Sequence, residues 1–247
     1  MSRPRLHELL LKVYEAKELL PELLTHPDFS TFCEKHGLEI SPSDLIFAFT
    51  HKSFSHEFNV PHQEQLEFLG DAVLQLILTD ELFERFPLEK EGHLSKLRSA
   101  IVNEKSLSTL ARGLHLDDLI IVGKGEFKKE LFHQDPVLAD TFEALLAQIY
   151  RFHGLEFTKV LFLSWLKEFI PGAFEANFLD HFDAKSKLQE KVLARYKKLP
   201  RYSAESVGDE FEVGLWINEE LSASGVFPSK KQGEKELAQL VLKKGLI

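Results

Sequence analysis

Cysteine is nearly absent from this chain. The single residue, Cys33, rules out any intramolecular disulfide, so the fold must be held by packing alone. A reducing compartment suits such a chain, and burial as an inert thiol is the expected state of Cys33. Long uncharged apolar runs are missing as well. Charges interrupt the opening MSRPRLHELLLKVYEAKELL every few positions, and no segment approaches the roughly 18 apolar residues a membrane span needs. No small-residue cleavage site follows an apolar core, so a cytoplasmic protein with no signal peptide and no membrane partner is expected. Basic charge is in deficit: 30 Lys and Arg stand against 39 Asp and Glu, and the net −9 taken alone argues against nucleic acid. Internal repeats and low-complexity stretches are lacking too, which excludes solenoids and disordered tracts.

What is present is unevenly spread. Residues 182–247 hold 12 basic and 10 acidic side chains, net +2, leaving net −11 for residues 1–181. At 247 residues the chain exceeds a typical domain of about 150, so two compact units are expected. Helical periodicity dominates to about residue 170 and predicts helices over 5–24, 28–36, 42–49, 62–84, 92–100, 103–113, 136–152 and 156–170. Proline and glycine punctuate them, at Pro61, Pro87, Gly92 and Gly154 among others. The pattern then changes. A helix over 183–198 precedes the strand-like RYSAESV, EFEVGLWI and ELSASGVF, and a helix over 229–244 closes the chain. The expected fold is α+β and multidomain: an all-α unit followed by a small α-β-β-β-α unit.

Candidate chemistry lies in EQLEFLGDAVL, residues 64–74. Glu64, Glu67 and Asp71 stand at i, i+3 and i+7 on one face of a helix, bordered by Leu66, Phe68, Leu69 and Val73, and no Lys or Arg follows before Arg85. A carboxylate beside an apolar core needs a cation or it takes up a proton. A second helix, in PVLADTFEALLAQIY, offers Asp140 and Glu143, again with no basic residue before Arg151. Two such helices could supply hard oxygen ligands to Mg²⁺. The competing reading points the same acids at solvent on amphipathic helices. Gly70 weighs against it, because a mid-helix glycine costs about 1 kcal/mol relative to alanine and so implies a close approach to the backbone beside Asp71. A ferritin-like di-iron bundle would need two Glu-x-x-His pairs, and only Glu130 with His133 is present, in a predicted loop.

EQLEFLGDAVL resembles the signature of the ribonuclease III family, Glu-Arg-Leu-Glu-Phe-Leu-Gly-Asp. The likeness extends in order and spacing through THKSFSHE at 50–57, FPLEKEGHLSKLRSAIVNEKSL at 86–107, LIIVGKGE at 119–126 and VLADTFEALLAQIY at 137–150. DAKSKLQEKV at 183–192 and SKKQGEKELA at 229–238 resemble the two helices of the double-stranded-RNA-binding domain that follows the catalytic domain in bacterial members. The resemblance implies an N-terminal helical extension at 1–28, a catalytic domain at 29–175, a linker at 176–182 and an RNA-binding domain at 183–247.

It also implies an activity: a homodimeric endoribonuclease that cuts double-stranded RNA in rRNA and mRNA processing. Such an enzyme uses Mg²⁺, with Mn²⁺ able to take its place, and leaves 5′-phosphate and 3′-hydroxyl ends with short 3′ overhangs. Glu67, Asp71, Asp140 and Glu143 match the metal-binding carboxylates, Asp71 and Glu143 being the catalytic pair. Glu64 and Glu91 match accessory acids. Gln189, Lys230, Lys231 and Lys235 match RNA-binding positions, in a fold that reads the wide minor groove by shape and 2′-hydroxyls. The alternative is a non-cleaving double-stranded-RNA-binding or ribosome-associated scaffold of the same fold. Against the family pattern, Gln63 stands where Asn is common, Gln65 where Arg is usual and Gly233 where Ala is usual. The turn SVGDE also lacks the Gly-Pro-x-His type element that enters a second minor groove, which predicts weaker duplex binding by this domain. Gly123 and Gly125 read as a turn, and His51 as a hydrogen-bonded core histidine.

Overall fold

The computed structural model describes residues 5–174 and 184–245, and the predicted linker at 176–182 lies outside them. The chain divides into two compact units, residues 1–173 and 174–247.

The first unit is built of helices, many started by the residues its sequence places there. His26 and Ser41 cap α3 (Pro27–His36) and α4 (Pro42–Leu45), each with proline at the first position, where a missing N–H costs nothing. His51 caps α5 (Lys52–Phe58): its Nδ1 accepts from the Ser53 amide at 3.2 Å, so the histidine finds a hydrogen bond at a helix start. At the far end of α3, Gly37 takes a φ of 65°, and Leu38 N closes onto the Cys33 carbonyl. Cys33 is buried, its thiol against the Ile40 carbonyl at 3.4 Å.

Two long helices form the centre of this unit. α6 (Glu64–Arg85) buries Leu66, Gly70, Val73, Leu74, Ile77, Leu78 and Leu82. α10 (Asp135–Phe169) packs against it and, on another side, against α8 (Glu104–Gly113). Within α10, Gly154 adopts a φ of 79° and breaks the helix where its glycine predicts a break. Gly92, by contrast, lies inside α7 (Glu91–Ile101) instead of ending a helix.

The predicted helix over 5–24 is interrupted. It forms α1 (Leu6–Val13), a 3₁₀ turn at Lys17–Leu19 and α2 (Leu20–Leu24). Pro21 favours the restart because it sits in the first turn of α2. This segment is part of the first core: Leu6, Leu9, Leu10 and Val13 are buried, and Tyr14 Oη donates to the Val122 carbonyl.

In the second unit, β1 (Arg201–Val207), β2 (Glu210–Ile217) and β3 (Glu220–Phe227) form an antiparallel sheet in that order. Val207 pairs with Glu210, so only Gly208 and Asp209 make the first turn, with Gly208 at a φ of 64°. α11 (Ala184–Tyr196) and α12 (Lys230–Lys243) cover one face, closing a core of Leu188, Val192, Val213, Leu215, Leu237 and Val241. A Cβ on Gly233 would lie 2.6 Å from both Phe227 Cδ2 and Val213 Cγ2, so α12 lies on the sheet more closely than alanine allows.

Candidate active site

Gly70 explains how two acid-bearing helices share one site. A Cβ built there would lie 1.9 Å from the backbone oxygen of Glu143, so α6 and α10 cross with glycine against carbonyl. The crossing point carries Asp71 on one helix and Glu143 on the other. Glu67 lies one turn before Asp71, and Asp140 one turn before Glu143.

A second tie sets the helices in register. Gln63, just ahead of α6, is buried; its backbone N–H donates to the Thr50 carbonyl at 3.0 Å, and its side-chain oxygen lies 3.2 Å from the buried Thr141 Oγ1, whose one proton it shares with the Val137 carbonyl at 2.7 Å. Thr141 follows Asp140 directly. The start of α6 is thereby bonded to the stretch of α10 that carries both acids.

The electrostatics are those of crowded like charges. Glu143, half-buried, is pushed up to about 8, by burial first and then by Asp71, Asp140 and Glu67. Glu67 is raised by burial and by Asp140 and Glu64, with Lys52 acting against the shift. Asp140 is raised by burial, again opposed by Lys52, while Glu104 and Glu64 add to it. Asp71 is exposed and accepts from Gln75 Nε2 at 3.3 Å. Asp71, Asp140 and Glu143 line an open cavity of about 190 Å³, together with Gln75, Asn103 and Glu104.

The donor set fits a divalent cation. Carboxylates and amide oxygens surround a space large enough for an ion with waters, which is how Mg²⁺ is usually held. The four acids are not collapsed onto one point. Among the described residues, the group whose ligand atoms all lie within 4.8 Å is His115, Asp117 and Asp118, after α8.

The remaining expected residues are placed differently. Glu64 is exposed outside the cavity, 3.0 Å from Lys52 Nζ and 3.7 Å from His62 Nδ1, and its carboxyl is held below the usual range chiefly by Lys52. Glu91 opens α7 and accepts from Ser95 Oγ at 2.8 Å; it does not line the cavity. In the second unit, Lys230 and Lys231 are the first two residues of α12, both exposed, and Lys230 Nζ sits 5.3 Å from the centre of the Phe211 ring. Lys235 follows about a turn later, and Gln189 is partly buried on α11.

Asn103, Glu104 and Gln75 escaped the sequence reading as members of the site, and Lys52 as a charge beside it. Glu104 and Asn103 lie in NEKSL, inside a stretch that already carried the family resemblance, and that placement was the available signal. Lys52 is 12 residues from Glu64, and no helical spacing connects them.

A family model described as Ribonuclease-III-like matches residues 43–169. Ribonuclease 3 of Corynebacterium efficiens is 35% identical over 227 residues, covering 90% of this chain and 91% of that protein. Ribonuclease 3 of Streptococcus mutans is 40% identical over 221 residues, covering 85% and 94%. The solved nuclease domain of ribonuclease III from Campylobacter jejuni is 37% identical with a TM-score of 0.55, covering 58% of this chain and 99% of that one. Extended identity along nearly the whole chain, together with the crossed acid-bearing helices, is decisive: the chain belongs to the ribonuclease III family.

Proposed function

We propose that this ribonuclease cuts double-stranded RNA at the α6–α10 crossing, with Mg²⁺ held by Glu67, Asp71, Asp140 and Glu143. The observation that supports this reading most is the close crossing at Gly70, which gathers Asp71, Asp140 and Glu143 around one cavity and leaves Glu143 half-buried and raised to about 8, by burial first and then by its acidic neighbours. A packed fold has no use for such repulsion, whereas a cation-dependent site does. Asn103, Glu104 and Gln75 border the same cavity and complete its polar wall.

The bound metal would supply an activated water and charge stabilisation at phosphorus. The residues of this chain do the rest. Asp71 and Glu143, facing each other across the crossing, hold the reacting groups in register, and Gln63 with Thr141 keeps that register. Water attacks phosphorus, the bond to the 3′-oxygen breaks, and that oxygen takes up a proton. The ends are a 5′-phosphate and a 3′-hydroxyl. The acids cannot attract RNA by themselves, so duplex binding falls largely to the second unit. There Lys230 and Lys231 add charge to the free N–H groups that open α12, and Lys235 and Gln189 extend the contact.

The protein acts as a homodimer. α6 leaves Phe68 83% exposed, Leu76 54% and Phe83 70%, an apolar stripe opposite the buried face, which a second copy would cover. The Campylobacter jejuni structure is itself described by a region involved in dimer formation. Among the described residues no helix is long and apolar enough to cross a membrane.

The test incubates the protein with labelled duplex RNA, single-stranded RNA and duplex DNA, in Mg²⁺ and in chelator. Cutting confined to duplex RNA with Mg²⁺, and lost in Glu143→Ala while RNA binding persists, is the expected result. Cutting by Glu143→Ala at the wild-type rate would remove Glu143 from the site.

A further inference from the structure

An acidic site that must receive a phosphodiester needs positive charge on the substrate side as well as a metal on the protein side. Lys52 is placed to supply it. It is the first residue of α5, and its Nζ lies 3.0 Å from Glu64 Oε1 with both side chains about half exposed, at 53% and 49%. Such a pair adds little to stability, and water reaches it readily. Its partner is therefore exchangeable.

The backbone beneath Lys52 is firmly held. Ile121 N donates to the Phe49 carbonyl and His51 N to the Ile121 carbonyl, while Gln63 N donates to the Thr50 carbonyl at 3.0 Å. The start of α5 is thus bonded directly to the start of α6. A mobile ammonium on a rigid base, paired to a glutamate one turn before Glu67, can reach over the edge of the acid cluster. Its charge is already felt there, opposing the upward shifts of both Glu67 and Asp140.

We propose that Lys52 binds a phosphate of the RNA strand beside the scissile bond, and that Glu64 parks its ammonium in the absence of RNA. The inference rests on the ribonuclease reading above. Lysine suits the role because its ammonium carries three donors on a flexible stem and can keep one on Glu64 while turning another to phosphate. Glu64 then prevents Lys52 from falling into the cluster and competing with the metal. This gives the exposed Glu64 a function that needs no metal contact.

The test compares Lys52→Met, Lys52→Arg and Glu64→Gln with the wild type, using a short duplex RNA and Mg²⁺, from 50 to 200 mM salt. Thermal unfolding of each variant should match the wild type, since the pair is exposed. Lys52→Met should raise KM about tenfold with kcat within twofold, and should shallow the dependence of log(kcat/KM) on log salt by nearly one, the slope lost with one phosphate contact. Lys52→Arg should recover most of the affinity, and Glu64→Gln should leave the salt slope unchanged. An unchanged KM and slope in Lys52→Met would overturn the proposal. So would a fall in kcat alone, which would reduce Lys52 to a support for Glu64. A wild type that fails to cut duplex RNA at all would sink the ribonuclease reading itself, an outcome distinct from wild-type cutting with an indifferent Lys52→Met.

Discussion

Gly70→Ala is the substitution that most directly tests how the site is built. The new methyl carbon would meet the Glu143 carbonyl oxygen at 1.9 Å, whereas a tolerable carbon–oxygen contact is about 3.3 Å, so the backbones must part locally by roughly 1.4 Å. Backbone lies on both sides, and no flexible side chain can give way. Overpacking of this kind costs about 1–3 kcal/mol, while alanine returns about 1 kcal/mol of helix propensity, leaving a net loss of roughly 0–2 kcal/mol. For a unit of this size that corresponds to at most about 8 °C in Tm. Activity should suffer far more than stability. Displacing catalytic groups by about 1 Å costs on the order of a hundredfold, and here the displacement separates Asp71 from Glu143. Single-turnover cleavage at 20 °C, below either transition, gives the rate; its Mg²⁺ dependence gives the cost to metal binding. A Gly70→Ala enzyme with wild-type rate and wild-type Mg²⁺ half-saturation would refute the claim that this crossing sets the site.

Further outcomes follow from other contacts. Glu143 has a folded value near 8, above its ordinary 4.5, so its share of stability is complete below about 4.5 and is lost as pH rises through 8. In chelator, Glu143→Gln should therefore gain on the wild type in Tm from pH 5 to pH 9, and the Tm gain from Mg²⁺ in the wild type should grow over the same range; parallel Tm curves would contradict this. His36 lies against Phe32 and Trp165 with Nε2 buried and unpartnered, and burial pushes it down to about 4. Its contribution is present above 6.5 and lost as pH falls through 4, so His36→Leu should gain on the wild type in urea unfolding at pH 4.5 compared with pH 7.5. Gly233→Ala, though it restores the residue usual in the family, should destabilise the second unit by about 1–3 kcal/mol and weaken RNA binding with kcat unchanged, because Val213 and Phe227 occupy the space. Lys230→Ala with Lys231→Ala should raise the RNA dissociation constant and flatten its salt dependence. An unaltered slope would place the main phosphate contacts elsewhere.

Local chemistry is what the sequence made legible. Capping residues and glycine breaks marked several helix ends, and the alternating strands with their turn residues marked the sheet. The anomaly of a mid-helix glycine in EQLEFLGDAVL announced a close approach, although the approaching group, a carbonyl from 73 residues away, could not be read from it. Lys52 was hidden for a related reason. The absence of Lys or Arg between Glu64 and Arg85 is true along the chain and false in space, because the backbone bonds at Thr50 and Ile121 bring α5 beside α6. Gln63, which reads as a mere departure from the family pattern, is the buried link between the two acid-bearing helices. Pairings across long loops depend on tertiary register, and no helical or strand period carries that information.

The site's instability is bound up with its use. Glu67, Asp140 and Glu143 are all raised, and Glu143, at about 8, holds at neutral pH a proton that a divalent cation must displace. Metal binding therefore releases that proton, and it tightens as pH rises towards 8. A phosphodiester arriving before the metal meets net negative charge, while one arriving after meets a neutralised cradle with Lys52 at its edge. Cations at the α6–α10 crossing thus act on the docking of phosphate there more than on the capture of duplex by α12. In chelator, RNA should still bind with an affinity set by Lys230 and Lys231 and indifferent to Lys52→Met; on adding Mg²⁺, the Lys52→Met difference should emerge. Rapid-mixing binding in the wild-type background, read before cleavage sets in, covers both states. A Lys52→Met effect of equal size with and without Mg²⁺ would show that the metal does not gate phosphate entry.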